Sequence, residues 1–262
     1  MNDPQILLTN DDGIDAPGLA ALYEALSTIG SVTVVAPADD QSAIGRVRSQ
    51  SVTVHDHEWG YVLEGTPVDC VIGGLRSLVP ETDLVVAGCN RGANLGTGVL
   101  GRSGTVSAAA ESSFLGTPGI ATSMYIPEEF FADDDAMVGK SEYEAAANAA
   151  AYLADRAGET EIFETADYLN INAPLASRSS GTMLVTQPSD VYRMDAVRDG
   201  DSLAIHNRIW ELMETSDLPD PAGTDRRTVA NDDISVSAIT TSQATEAAKT
   251  LSKLAANYRE DF

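Results

Sequence analysis

Lysine is the residue type whose scarcity says most about this sequence. Only three lysines occur among 262 residues (Lys140, Lys249 and Lys253), and 40 acidic residues face 16 basic ones, which leaves a formal net charge of −24. Binding along DNA or RNA needs a basic face, so the composition argues against a nucleic-acid polymer as partner. A small phosphorylated substrate stays possible, because a metal ion and backbone amides can supply local positive potential.

Cysteine and histidine are also scarce, which argues against two common kinds of active site. The two cysteines, Cys70 and Cys89, lie in separate apolar segments and are expected to be buried and reduced. None of the three histidines, His55, His57 and His206, lies near a Gly-x-Ser-x-Gly elbow. A zinc site of His and Cys ligands and a Ser–His–Asp triad are therefore disfavoured.

Long apolar runs and a secretion signal are missing as well. No stretch is long enough to span a bilayer, and the first four residues lack the basic and apolar regions of a leader peptide. We therefore expect a cytoplasmic protein with no membrane partner. The acidic excess also leads to the hypothesis of a high-salt cytoplasm, because salt screens the self-repulsion of such a surface.

The first part of the chain alternates strands and helices, the pattern of stacked βαβ units in an α/β fold. Strands are predicted at Gln5–Thr9, Ser31–Ala36, Asp83–Ala87, Gly119–Ser123 and Tyr168–Ala173. Helices are predicted from Pro17 to Leu26, Pro67 to Leu75, Ser103 to Leu115 and Ser141 to Ala154, the last with Ser141 and Glu144 as a capping box. Residues 51–64 have the alternation of a β-hairpin.

The later part of the chain loses this rhythm. Residues 175–240 mix short strands with turn-rich segments and are interpreted as an extended β-rich arm. The predicted organisation is a core of residues 1–174, this arm, and a C-terminal helix within residues 241–262.

Two adjacent aspartates, Asp11 and Asp12, follow the first predicted strand directly. In an open parallel sheet, the carboxyl ends of the strands are where ligands bind. Neighbouring carboxylates repel each other unless a positive charge lies between them, and a hard divalent cation is the simplest candidate. The alternative is that Asn10, Asp11 and Asp12 only form a turn and cap the next helix.

Two further segments follow other strands and offer neutral oxygens. Ser42 follows the second strand, although a capping role is the simpler explanation for this hydroxyl alone. Asn90 begins the loop Asn90–Gly96 after the third strand, a segment that could also be purely structural and that lacks the Gly-x-Gly-x-x-Gly spacing of a dinucleotide site. Taken together, Asp11, Asp12, Ser42 and Asn90 suit Mg²⁺ or Mn²⁺.

The segment Ser103-Gly104-Thr105 lies where a helix is predicted to begin. Free amides at a helix start attract an anion, and the two hydroxyls add donors, so this segment is a candidate phosphate cradle. Capping of the helix by Ser103 is compatible with that role.

Six motifs, in order along the chain, make the sequence resemble the SurE (survival protein E) family of nucleotidases. They are Ile6–Gly18, Val34–Pro37 with Ser42, Gly65–Val71, Asn90–Gly96, Ser103–Val106 and Leu169–Pro174, with a weaker match at Gly223-Thr224-Asp225. The resemblance implies a Rossmann-like three-layer sandwich with a mostly parallel sheet, and a C-terminal β-rich arm that joins subunits into a homodimer or homotetramer.

The resemblance also implies the site. One divalent cation per subunit, Mg²⁺ or Mn²⁺, would be held by Asp11, Asp12, Ser42 and Asn90, with Asp11 and Asp12 as catalytic residues. The phosphate would contact Asn94, Ser103, Gly104 and Thr105. The implied activity is that of a 5′-nucleotidase, which hydrolyses nucleoside monophosphates with a metal-activated water; the alternative is a metal-dependent nucleotide sensor without turnover.

The chain departs from the family pattern at several positions. Ala38 stands where the family usually has Asp, Gly98 where an acidic residue is common, and Arg102 where an aromatic residue or His is common. The arm motifs are also altered, at Thr186–Pro188 and Asp233–Ala238. The proposed metal ligands are all retained, so these departures bear on substrate preference and on oligomerisation.

The charge composition predicts that stability rises with salt. Screening weakens the mutual repulsion of the acidic residues in the folded chain, so the thermal midpoint should be higher in molar KCl than in dilute buffer. Scanning calorimetry in the two solutions measures this difference. Equal midpoints would contradict the hypothesis of a high-salt cytoplasm.

Overall fold

The computed structural model describes residues 3–127, 130, 138–158, 160–215 and 217–241. The predicted C-terminal helix of residues 241–262 lies outside the described residues, except for Thr241. Among the described residues, no helix is both long and apolar enough to cross a membrane.

The main sheet has nine strands in the order β3-β4-β2-β1-β5-β6-β7-β11-β8. The strands are β1 Gln5–Thr9, β2 Ser31–Pro37, β3 Val54–His57, β4 Gly60–Leu63, β5 Leu84–Arg91, β6 Gly119–Met124, β7 Tyr168–Ala173, β8 Met183–Val185, β9 Met194–Asp199, β10 Ser202–Asn207 and β11 Ile234–Ile239. Strands β4, β2, β1, β5, β6 and β7 run parallel, whereas β3 and β11 are antiparallel to their neighbours β4 and β7. The predicted mostly parallel α/β sheet is confirmed.

Helices cover both faces of this sheet. They are α1 Pro17–Leu26, α2 Pro67–Gly73 continued by a π-helical turn Gly74–Leu78, α3 Thr97–Leu100, α4 Gly104–Phe114, α5 Glu144–Ala157, α6 Ile162–Thr165, α7 Ile209–Met213 and α8 Asp225–Ala230. The capping box predicted at Ser141 and Glu144 does not form, because a 3₁₀ turn over Lys140–Tyr143 leads into α5 without a side-chain cap.

The alternation of side chains along β1 shows how the layers are built. Ile6 and Leu8 pack into one core with α1 and α5, whereas Leu7 faces the opposite core with α2. Successive strand residues point to opposite faces, so an apolar strand covered on both sides must be apolar throughout. The result is the three-layer sandwich that the resemblance implied.

The predicted hairpin of residues 51–64 is present as β3 and β4. These strands are antiparallel to each other, and β4 also pairs in parallel with β2, so the hairpin extends the main sheet at one edge.

The C-terminal segment is divided between two sheets. Strand β11, from the segment assigned to the arm, lies in the main sheet beside β7, with the short β8 next to it. Only β9 and β10 form a separate two-stranded antiparallel sheet. The inward hydroxyls of Ser235 and Ser237 on β11 are satisfied by Thr186, at 2.8 and 2.9 Å. The boundary at residues 174 and 175 stays a prediction.

Candidate active site

The order of the sheet brings three of the candidate segments together. Strands β2, β1 and β5 are adjacent and parallel, so the segments that follow them share one edge of the sheet. Asp11 and Asp12 follow β1, Ser42 lies in the loop after β2, and Asn90 lies near the end of β5. This is the edge where ligands bind in open α/β sheets.

The turn after β1 is fixed by a side chain and by a glycine. The amide nitrogen of Asn10 donates to the carbonyl oxygen of Gly13, at 2.7 Å. Gly13 has a φ of +95°, which an L side chain rarely adopts. The turn is therefore present and presents the two aspartates to the sheet edge. The capping role of the alternative interpretation is wrong, because helix α1 has Ala16 at its N-cap and no side-chain cap.

Asp11 is buried against the start of helix α4. Its side chain is 3% exposed, and Thr105 donates to it through both its hydroxyl and its backbone N–H. A Cβ atom built on Gly104 would lie 2.8 Å from the Cβ and Oδ2 atoms of Asp11. Only glycine at position 104 lets the helix approach the aspartate so closely.

Asp12 is held by the backbone of the neighbouring strand. The N–H of Arg91 donates to its Oδ2 atom at 2.9 Å. Burial raises the pKa of Asp11, and burial together with the adjacent Asp11 charge raises the pKa of Asp12 to about 7. The fold thus holds two neighbouring carboxylates where ionising both is unfavourable, a condition that a bound cation relieves.

The Ser42 hydroxyl is connected to this pair through Asp40. It donates to the Oδ1 atom of Asp40 at 2.6 Å, which leaves its oxygen lone pairs available to a metal. The negative charge of Asp40 contributes to the raised pKa of both Asp11 and Asp12. The N–H of Gln41 donates to the backbone carbonyl of Asp11 at 2.7 Å, so this loop lies directly on the turn after β1.

Asp40 is a site residue that the sequence did not single out. Its position in the acidic pair Asp39-Asp40, directly after β2, is the signal that could have identified it. An acidic pair on a surface loop is common, however, and only the contact with Ser42 distinguishes it.

Asn90 also presents an oxygen at this edge. Its amide nitrogen donates to the carbonyl of Gly92 at 2.6 Å, so Oδ1 is the atom not used in that bond. Within the described residues there is no group of three or more His, Cys, Asp or Glu side chains that could hold a metal. A cation here would depend on two carboxylates and the neutral oxygens of Ser42 and Asn90, a donor set that suits a hard ion.

Asn94 lies at the centre of a buried asparagine network. Its side-chain nitrogen donates to Ser123 at 2.9 Å, its backbone N–H donates to Oδ1 of Asn172, and its carbonyl accepts from Asn170 and Asn172. These contacts tie the Asn90–Gly96 loop to the ends of β6 and β7. The phosphate contact assigned to Asn94 stays a prediction, and Asn170 and Asn172 are positioning residues that were not assigned to the site.

At the start of α4, Ser103 and Thr105 have different partners. The Ser103 hydroxyl oxygen accepts from the N–H of Val106 at 3.1 Å and caps the helix, as expected. Thr105 instead directs its hydroxyl and N–H at Asp11. The phosphate role predicted for Ser103, Gly104 and Thr105 is not tested by these contacts, but Thr105 has a second task in orienting the aspartate.

The C-terminal segment anchors the Asn90–Gly96 loop from behind. The carboxylate of Asp225 accepts from the N–H groups of Gly96 and Ser189, at 2.7 and 3.0 Å. The buried Arg226 pairs with Asp220 at 2.9 Å, and it fills the space where a Cβ of Gly96 would lie. The weak motif Gly223-Thr224-Asp225 was the sequence signal for this anchor.

Two of the departures from the family pattern meet at one side chain, Tyr192. A Cβ atom at Gly98 would lie 2.7 Å from the Tyr192 ring, and Arg102 donates to the Tyr192 hydroxyl at 2.7 Å. Tyr192 therefore occupies the space that a larger residue at position 98 would need.

Comparison with known proteins gives one family. The family described as Survival protein SurE matches residues 6–194. A relative from Haloarcula marismortui named 5′-nucleotidase SurE is 56% identical, with 100% of this chain and 97% of the relative covered. One of the same name from Geotalea daltonii is 38% identical over 88% of this chain and 91% of the relative. Among solved structures, the SurE protein from Aquifex aeolicus matches with a TM-score of 0.74 and 29% identity, over 98% of this chain and 100% of that chain.

The close approach at Gly104 yields a stability prediction. Replacing Gly104 with Ala should destabilise the fold by about 1–3 kcal/mol, because the new methyl group must displace Asp11 or helix α4. Gly101→Ala is the matched control, since no atom lies within 4 Å of its Cβ position. Chemical unfolding of both variants measures the difference; equal stabilities would show that helix α4 does not pack as tightly on Asp11 as described.

Proposed function

The chain belongs to the SurE family, and on that premise we propose that it is a 5′-nucleotidase that hydrolyses nucleoside monophosphates to nucleoside and phosphate. Relatives that carry this name are 51–56% identical over nearly the whole chain. The observation that carries the proposal is the adjacent pair of the buried Asp11 and the partly buried Asp12 at the sheet edge, beside the start of α4.

The proposed cofactor is one divalent cation, Mg²⁺ or Mn²⁺, held by Asp11, Asp12, Ser42 and Asn90. The residues present fit such an ion. Two adjacent carboxylates, one buried and one partly buried, have raised pKa values, and the hydrogen bonds of Ser42 and Asn90 leave oxygen atoms for coordination. When bound, such a cation polarises a phosphate ester and lowers the pKa of a coordinated water.

The remaining steps belong to side chains and amides of the chain. Ser103 and the amides at the first turn of α4 are proposed to bind the phosphate oxygens, because a helix start presents N–H groups without intrahelical partners. Asn94 is proposed to contact the phosphate from the opposite loop. Asp11, oriented by Thr105, is the residue proposed to accept the proton of the attacking water.

The exposed apolar residues of the β9–β10 hairpin support the proposed association of subunits. Leu203 and Ile205 lie on one face of β10 and are 58% and 67% exposed, and Val197 on β9, on the opposite face beside Ala204, is 49% exposed. Apolar side chains grouped on a solvent-facing hairpin are typical of an interaction surface. We propose that this hairpin contributes to a homodimer or homotetramer; the cytoplasmic location also stays a prediction.

The first test removes one carboxylate. Asp11→Asn should lower phosphate release from nucleoside monophosphates by roughly 100-fold or more, because it removes both a metal ligand and the proposed proton acceptor. Mn²⁺ should raise the thermal midpoint of the wild type and not that of Asp11→Asn, since a ligand stabilises only a chain that binds it.

Asp15→Asn is the matched control for this test, because Asp15 is a nearby exposed aspartate. It should keep both the activity and the Mn²⁺ response. Full activity of a folded Asp11→Asn enzyme would refute the assignment of the site.

The second test separates attack by water from attack by Asp11. A single turnover in ¹⁸O-labelled water should place the label in the first phosphate released, because water is the proposed nucleophile. A phosphoaspartate formed on Asp11 would label the phosphate as well when water attacks its phosphorus, but a turnover quenched with borohydride would then show Asp11 reduced in its peptide, whereas direct attack by water leaves Asp11 unmodified. Mass spectrometry of the peptide that contains Asp11 distinguishes the two.

A further inference from the structure

An apolar cavity of about 410 Å³ opens beside the Asn90–Gly96 loop. It is lined by Gly92, Ala93, Tyr125, Ile126, His206, Asn207, Trp210, Glu211 and Glu214. Its volume falls in the range of small-molecule sites, about 300–1,000 Å³. None of the residues proposed for metal or phosphate binding lines this cavity. The residues proposed for hydrolysis therefore give the cavity no role.

The position of the cavity connects it to the proposed reaction. Gly92 and Ala93 stand between Asn90, a proposed metal ligand, and Asn94, a proposed phosphate contact. The cavity therefore borders the same loop that carries a proposed metal ligand and a proposed phosphate contact.

Two aromatic rings stack against each other at the wall of the cavity. The rings of Tyr125 and Trp210 are nearly parallel, with an interplanar angle of 19° and 6.5 Å between their centroids, which is within the range of an offset stacked pair. Both residues line the cavity, so together they present aromatic surface on which a planar heterocycle can stack.

The walls are held in place by a small core. Tyr125, Trp210 and Ala93 pack against the buried cluster of Leu95, Ile209, Met213, Leu218 and Val229. The Tyr125 hydroxyl also donates to Glu214 at 3.4 Å. The cavity is therefore preformed, and little conformational entropy need be lost when a ligand enters.

We propose that this cavity binds the base of the nucleotide substrate, stacked on Trp210 and Tyr125. The proposal rests on the proposed nucleotidase function and adds a subsite to it. Glu211, which pairs with Arg208 at 3.0 Å, and Glu214, which accepts from Tyr125, place carboxylate oxygens at the edge of the cavity. These oxygens favour bases that present exocyclic amino donors. Guanine, adenine and cytosine carry an exocyclic amino group and should bind more tightly than uracil.

The first experiment measures base binding without catalysis. The chain has two tryptophans, so Trp59→Phe leaves Trp210 as the only tryptophan fluorophore. Titration with guanosine, adenosine, cytidine and uridine to millimolar concentration, without added metal, should quench this fluorescence saturably, with uridine the weakest ligand. Ribose should cause no quenching. Absence of saturable quenching by every nucleoside would overturn the proposal, and equal affinity for uridine would overturn the role of the Glu211 and Glu214 carboxylates.

The second experiment measures the contribution of stacking to turnover. In Trp210→Ala with Mn²⁺, the kcat/KM for guanosine or adenosine monophosphate relative to that for ribose 5-phosphate should fall by about 5- to 100-fold, mostly through KM, since loss of base stacking has this size in other proteins. Trp210→Phe, which keeps a ring, should restore most of the ratio. An unchanged ratio, with both esters affected equally, would show that Trp210 has only a structural role.

Tyr152→Ala is the matched control, because Tyr152 is an exposed aromatic residue that does not line the cavity. It should leave the ratio unchanged. Failure of the proposed function is distinguishable: the wild type would then release phosphate from neither ester, whereas nucleosides would still quench Trp210.

Discussion

The structure around the sheet edge is organised by two adjacent carboxylates, the buried Asp11 and the partly buried Asp12. Asp11 and Asp12 lie where water cannot solvate both charges, and each receives donors from another element: Thr105 at the start of α4, and the backbone of Arg91 on β5. The glycine at position 104 is a consequence, because the donors reach Asp11 only if the helix has no side chain there. Keeping two charged carboxylates this close together costs free energy unless a cation binds to them. Carboxylates perturbed in this way are typical of functional sites.

Those features of the site that follow from strand order could be predicted from the sequence. Each apolar strand is followed directly by its polar segment, so the proximity of Asp11, Ser42 and Asn90 required only that β2, β1 and β5 be neighbours. Asp40 lies in the same segment as Ser42, whereas the role of Asp225 could not be found from strand order. Asp225 contacts Gly96, 129 residues earlier in the chain, and no local pattern encodes such a pairing.

The place of the C-terminal segment in the fold is also difficult to predict from local sequence. Strand β11 alternates with serines, so its composition gives little sign of a strand buried in the main sheet. Its hydroxyls are satisfied only by Thr186, which the fold brings beside it. Tyr192 is similar, because it contacts Gly98 and Arg102, which lie 94 and 90 positions earlier in the chain. Two positions that depart separately from the family pattern in the sequence thus contact the same side chain in the structure.

The net charge of −24 limits how such a chain can bind a nucleotide at all. A phosphate monoester approaches a surface that repels it, and no cluster of lysines is available to attract it. In the proposed function, binding comes from short-range contacts at the site itself: a cation held by Asp11 and Asp12, the amides at the start of α4, and stacking of the base on Trp210. Salt would weaken the long-range repulsion while leaving these desolvated contacts largely unscreened. A strongly acidic surface is thus compatible with an anionic substrate, provided that the attractive contacts lie within the site itself.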